Sequence, residues 1–167
     1  CSVSKSRTRP FLLLILLLGF GLRFYALDGQ SLWYDEGVTA AIAQRDLAAL
    51  TAWTANDIQP PLYYYLVAAW GRLGGWSEWA LRLPSAFLGV AAIPLLYAVA
   101  RRLLADAPFA HTAALLAALL AAVHPLLIYY AQEARMYTLL VFLSILIAWL
   151  LLRLADAPQP RLRLGLI

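Results

Sequence analysis

Two short stretches carry side chains able to do chemistry. SLWYDEG sets adjacent carboxylates, Asp35 and Glu36, directly behind Trp33 and Tyr34. A carboxylate held among aromatics at a membrane surface can accept a proton from a hydroxyl or amine while that atom attacks a carbon bearing a phosphate leaving group. Only one of the pair need face the reaction; the other can cap, pair with a base or bind a metal. Both acids also suit a plainer duty as N-cap and first-turn acid at the positive end of a helix. In YYAQEARMY, Glu133, Arg135 and Tyr137 fall at alternate positions. A departing phosphate needs cations or amides, a sugar needs directional acceptors and a nucleophile needs a base, duties that Arg135, Glu133 and Asp35 could divide. The plainer reading is an aromatic belt whose local acid and base end an apolar run.

Asn56-Asp57-Ile58-Gln59, before Pro60-Pro61, is a third polar stretch, suited to capping a loop and, as the alternative, to touching substrate or metal. His111 and His124 have no close carboxylate cluster, so a histidine zinc site is disfavoured, and His124 is expected to hydrogen-bond within a helical bundle. The chain contains no Gly-rich phosphate loop, nucleophile elbow or nucleotide fingerprint. Its single cysteine, Cys1, can form neither an intrachain disulfide nor a cysteine metal cluster.

The elements that must position these residues are set by composition. Among 167 residues, 63% are hydrophobic and 13% charged, with mean hydropathy +0.74. A water-soluble domain of this size could not hide so much apolar surface, which excludes an ordinary soluble enzyme. The formal charge of +4 does not point to nucleic acid, because the basic residues sit between apolar runs, where they fix topology. A start without Met and a stop just after basic residues lead to the expectation of a portion of a longer protein.

Four apolar runs are expected to span a membrane, at 11–27, 83–100, 107–131 and 136–152. The first resembles a signal peptide, but Arg23, Phe24 and Tyr25 stand where a small-residue cleavage site belongs, and Arg23 can snorkel to the interface. Pro94 should kink the second run, and His124-Pro125 lies inside the third. The stretch 61–74 is too short before Arg72 to span and is expected to lie at the interface with Tyr63, Tyr64, Tyr65 and Trp70. One further helix near 36–50, capped by Ser31 or Asp35, would complete an outer shelf on which an amphiphile could react while its tail stays in lipid.

This arrangement leaves a basic tail 1–10, a short segment 101–106 and a tail 153–167 inside, with 28–82 and 132–135 outside. The inside then holds eight basic residues (Lys5, Arg7, Arg9, Arg101, Arg102, Arg153, Arg161, Arg163) against Asp106 and Asp156, whereas the outside holds seven acids and, counting Arg23 near the outer end of the first run, five bases. Making 61–74 span would invert Arg101-Arg102 and separate Asp35 from Glu133, so the positive-inside bias favours four spans. The expected fold class is thus all-α, a polytopic membrane protein with four spanning helices and two outer juxtamembrane helices.

LRFYALDGQSLWYDEG, QPPLYYYLVAAW, LRLPSAFLG and YYAQEARMYTLL, in that order, resemble the N-terminal third of the dolichyl-phosphate-mannose-protein mannosyltransferase and aminoarabinose-transferase-like group. The resemblance implies a C-type glycosyltransferase fold in a multi-pass protein of the bacterial inner-membrane kind. It implies a polyprenyl-phosphate-linked sugar as donor and inverting transfer to an acceptor on the periplasmic or external face. The family's catalytic base falls on Asp35, with Glu36 as acidic neighbour and Glu133 as a third acid. Arg135, Tyr137, Asp57, Gln59 and Tyr63 form the expected substrate-contact set. Gln59 departs from the His or Lys that often precedes Pro-Pro in the family. No organic or redox cofactor is implied, and a divalent metal ion is compatible with the acids. The expected partners are the lipid-linked sugar, membrane lipid and an unidentified acceptor, with no nucleic acid. A lipid-linked substrate transporter or binding module, or a noncatalytic assembly subunit, is the alternative from another function class.

Overall fold

A computed structural model describes residues 5–155 and is all-helical among them. Cys1, Asp156, Arg161 and Arg163 lie outside the described residues, and with them parts of both expected inner tails. The elements are α1 (Lys5–Phe24), α2 (Tyr34–Ala43), α3 (Leu47–Ala55), α4 (Pro61–Gly74), α5 (Glu78–Leu103), α6 (Ala110–Val123), α7 (Pro125–Ala131) and α8 (Tyr137–Ala155).

Helix α5 is the central column, packed against α1, α4, α6, α7 and α8. It starts five residues before the expected span because Ser77 Oγ accepts a hydrogen bond from Ala80 N and caps the first turn. Its 26 residues make a rod of about 39 Å at the usual rise. Among the described residues, α5 and α8 are each long and apolar enough to cross a membrane, and the bent pair α6 and α7 reaches that standard together. The expected continuous helix 107–131 is instead broken by 55° at His124. Pro125 lacks the N–H that would bond to Ala121 O, so the helical ladder stops there. His124 is exposed at the break rather than bonded within the bundle.

Arg23 also departs from expectation. It does not snorkel but is 1% exposed, donating from Nη2 to Ala121 O (2.9 Å) and from Nη1 to Ala122 O (2.9 Å). The guanidinium thus replaces donors lost at the end of α6. Gly89 makes room for it, since a Cβ there would lie 2.8 Å from Ala131 Cβ and 3.0 Å from Arg23 Nε. In return, Gln132 Nε2 donates to Leu22 O and Tyr25 O, where α1 ends and Ala26 turns the chain away at φ +52°. Arg23→Leu is expected to strand two carbonyls, at about 1–3 kcal/mol each for buried unsatisfied groups. Hydrogen exchange across residues 120–136 should accelerate, and Pro125→Ala should slow it again by restoring the N–H for Ala121. Unchanged exchange in Arg23→Leu would refute the capping role.

The expected outer shelf is a packed layer. Ile42, Leu50, Tyr63, Tyr64, Val67 and Leu81 share one buried cluster, so α2, α3 and α4 are held to the start of α5 by apolar burial. Helix α4 coincides with the expected 61–74. The expected single helix 36–50 is two, because Asp46 Oδ1 accepts from Ala49 N at 2.8 Å and starts α3 afresh. The break leaves Arg45 and Asp46 in solvent.

Candidate functional site

The start of α2, the start of α5 and the link between α7 and α8 meet at one end of the bundle. Trp33 is the N-cap residue of α2, which puts Asp35 and Glu36 in its first turn and displaces the expected caps Ser31 and Asp35. Successive helical residues point about 100° apart, so the two carboxylates must face different surroundings.

Glu36 turns inward and is fully buried. Its Oε1 accepts from Arg82 Nε (2.9 Å) and Ala134 N (2.7 Å), and its Oε2 from Arg82 Nη2 (2.7 Å) and Trp33 N (3.4 Å). Arg82, 5% exposed, also donates from Nη1 to Leu27 O (2.8 Å) and Gln30 O (2.9 Å). With four donors on its two oxygens Glu36 is saturated, which gives it an anchoring duty. Arg82 was not singled out from the sequence; its signal was a cation two residues before Pro84 at the mouth of an apolar helix.

Asp35 turns outward, its side chain 35% exposed, and one oxygen lies 3.2 Å from Arg135 Nη2. Arg135 itself is 3% exposed, and its Nε is buried without a hydrogen-bond partner. Its guanidinium carbon lies 5.8 Å from the centre of the Tyr137 ring. Residues a hundred positions apart are therefore brought into one ion pair.

The link bearing Arg135 is pinned from two sides. Glu36 holds Ala134 N, while Ser85 Oγ donates to Arg135 O (3.2 Å). Because that bond uses the Ser85 hydrogen, Tyr63 O–H donates to Ser85 Oγ at 2.7 Å. Burial holds the Tyr63 phenol well above its ordinary pKa, keeping it a donor. Tyr63 is 1% exposed, so the expected substrate contact becomes a positioning link to Arg135. Gln59 Oε1 accepts from Tyr64 O–H at 2.7 Å, and Asp57 Oδ1 from Ile58 N at 2.8 Å, which makes both local braces. Burial raises the Tyr64 pKa, opposed first by the Arg135 charge.

Glu133 is 7% exposed and lines a cleft of about 620 Å³ whose walls also include Glu36 and Arg82 together with Gln30, Trp33, Tyr129 and Gln132. Burial pushes its carboxyl pKa up, a hydrogen bond with Tyr129 opposes this, and the negative charge of Glu36 adds to the rise. Asp35 and Arg135 do not line that cleft. The expected acids thus divide in two: Asp35 stands in a half-open ion pair with Arg135, while Glu36 and Glu133 share one cleft, Glu36 with its oxygens already engaged. Among the described residues no group of three or more His, Cys, Asp or Glu side chains could hold a metal ion. With Glu36 saturated and Asp35 on an arginine, the acids do not form a ligand set.

Comparison with known proteins bears on this arrangement. The protein named "Putative mannosyltransferase YkcB" of Bacillus subtilis (strain 168) is 29% identical over 149 residues, covering 85% of this chain. The chain spans about a fifth of that relative's length, the aligned share being 20%. No solved structure matches. The family described as "Dolichyl-phosphate-mannose-protein mannosyltransferase" matches residues 58–167, a stretch that takes in Tyr63, Arg82, Glu133 and Arg135 and begins beyond Asp35. With some two-thirds of its residues inside that match, the chain belongs to the dolichyl-phosphate-mannose-protein mannosyltransferase family.

Proposed function

We propose that this chain is the N-terminal membrane module of a glycosyltransferase that moves a sugar from a polyprenyl-phosphate donor to an acceptor at the outer face of the membrane. The observation that carries the reading is the Asp35–Arg135 pair, a half-open carboxylate against a buried, forked cation. In the proposed reaction Asp35 takes the proton of the acceptor hydroxyl or amine as that atom bonds to the anomeric carbon of the sugar. The bond from that carbon to the phosphate oxygen breaks on the opposite side, and its electron pair stays with the phosphate. Arg135 stabilises the charge that develops there, using donors that include the unpartnered Nε. Glu133 lines the neighbouring cleft, where a carboxyl with raised pKa can serve as hydrogen-bond donor or acceptor for sugar or acceptor hydroxyls.

In this reading α1, α5, the bent pair α6–α7 and α8 are the four spans, with the shelf outside. The apolar part of α1, Phe11 to Leu22, is short, and the carbonyls that Arg23 finds on α6 let its charge stay at membrane depth.

The test uses the full-length protein in lipid vesicles with a labelled polyprenyl-phosphate sugar, measuring donor binding and single-turnover transfer separately. Arg135→Lys keeps the charge but loses the planar fork, so transfer should fall, and Arg135→Ala should lower it further. The defect of Arg135→Lys should persist when Glu133→Gln is also present. If it disappears in that background, Arg135 merely orients Glu133; donor binding without any transfer by the unaltered protein would favour a lipid-binding module.

A further inference from the structure

A second cleft lies at the opposite end of the bundle. Nineteen residues of α5 separate Arg82 from Arg101, about 28 Å along the axis. There a space of about 490 Å³ opens between α5 and α8, walled by Tyr97, Ala98, Arg101, Arg102, Ala105 and Trp149. None of these residues is acidic. Arg153, one turn beyond Trp149, does not line the cleft but sits against its wall, its guanidinium carbon 4.9 Å from the centre of a Trp149 ring.

The donors of this cleft are set by His111. Arg101 Nη1 bonds to His111 Nε2, and Tyr97 O–H lies 3.2 Å from His111 Nδ1. A guanidinium only donates, so Nε2 accepts and the ring hydrogen sits on Nδ1. That N–H donates to the Tyr97 oxygen, which leaves the phenolic hydrogen free for another acceptor. Tyr97 and Arg101 both line the cleft, so it offers a hydroxyl donor beside guanidinium groups, a set suited to phosphate oxygens.

The cleft continues into an apolar groove. A space of about 310 Å³ shares Ala98 and Trp149 with it and runs on between Ala91 and Leu95 of α5 and Phe142 and Leu146 of α8. A basic head region leading into an apolar trough between two spanning helices has the outline of an amphiphile, and basic pockets of this kind between membrane helices hold anionic head groups.

We propose that this end of the bundle binds an anionic phospholipid, its phosphate on Arg101, Arg102 and Tyr97 and an acyl chain along the groove between α5 and α8. The site is separate from the Asp35–Arg135 pair, and the proposal does not depend on sugar transfer. Charge complementarity selects the occupant: a zwitterionic lipid would bring a cation to cationic walls, and a further helix of the polypeptide would fill the groove but bring no headgroup phosphate to Arg101 and Tyr97.

The test is native mass spectrometry of the full-length protein released from nanodiscs of phosphatidylcholine with or without phosphatidylglycerol. The unaltered protein should retain phosphatidylglycerol preferentially, and Arg101→Gln should lower that preference about fivefold, the factor for one basic side chain near an anionic surface. Tyr97→Phe should lower it less, Arg101→Lys should keep most of it, and Arg45→Gln, on the outer shelf, should leave it unchanged. Ala91→Trp fills the groove with the head cleft intact, so it should weaken retention even if Arg101→Gln does not fold. Equal retention of the two lipids, an unaltered preference in both Arg101→Gln and Ala91→Trp, or stripping of the lipid by millimolar inorganic phosphate would each overturn the proposal. Crosslinking of a photoreactive residue placed at Leu95 to another segment of the polypeptide, rather than to lipid, would overturn it as well.

Discussion

Asp35→Asn in the full-length protein is expected to lower sugar transfer by about 10²- to 10⁴-fold, the range for loss of a positioned general base, with membrane insertion and donor binding retained. Asparagine keeps the size of the side chain and removes the negative charge that accepts the proton. The ion pair to Arg135 is lost as well; Asp35 is 35% exposed but Arg135 is buried, so the change leaves a less compensated guanidinium and some loss of stability is expected beside the loss of transfer. Asp35 lies in the first turn of α2, where an acid also suits the positive end of the helix, so a purely structural role predicts slightly reduced stability and near-normal turnover. Single-turnover transfer at matched protein level separates the two, and near-normal transfer would remove Asp35 from the mechanism.

Its neighbour is expected to behave in the opposite way. Glu36→Ala leaves Arg82 charged and buried without its counter-ion, a change that costs about 3–5 kcal/mol for a broken buried pair. It also frees Ala134 N, so the link that holds Arg135 should loosen. The expected result is a markedly lower unfolding temperature in lipid or detergent, with transfer lost only in step with folded protein. Replacing both partners, Glu36→Leu with Arg82→Leu, should recover part of the stability, since no bare charge then remains. Recovery should be incomplete because Leu27 O and Gln30 O lose their donor. A Glu36→Ala protein that unfolds at the normal temperature would show that the buried pair does not anchor the shelf.

These opposite outcomes for adjacent acids mark the limit of reading the site from the chain. Residue types and spacing were enough to single out Asp35, Glu36, Glu133 and Arg135. Sorting them required the rotation of α2, which turns Glu36 onto Arg82 and leaves Asp35 to meet Arg135. Arg23 and Arg82 are charges near the ends of apolar runs, and sequence alone favours sending such charges to water. Each instead finds backbone carbonyls at a place where a helix ends or a chain turns, and those acceptors come from segments far away in sequence.

The sequence by itself determined the membrane character, the all-helical class, the non-spanning length of 61–74 and the order of family motifs, because apolar run length, proline positions and charge distribution act locally. Tertiary structure alone decided the division of the stretch 34–55 into α2 and α3, the carbonyl partners of Arg23, the recruitment of Tyr63 and Ser85 to hold Arg135, and the separation of Glu133 from Asp35. The physical reason is shared: each depends on a buried polar group finding its partner across the fold. In apolar surroundings an unmet donor or acceptor is costly enough to govern the arrangement.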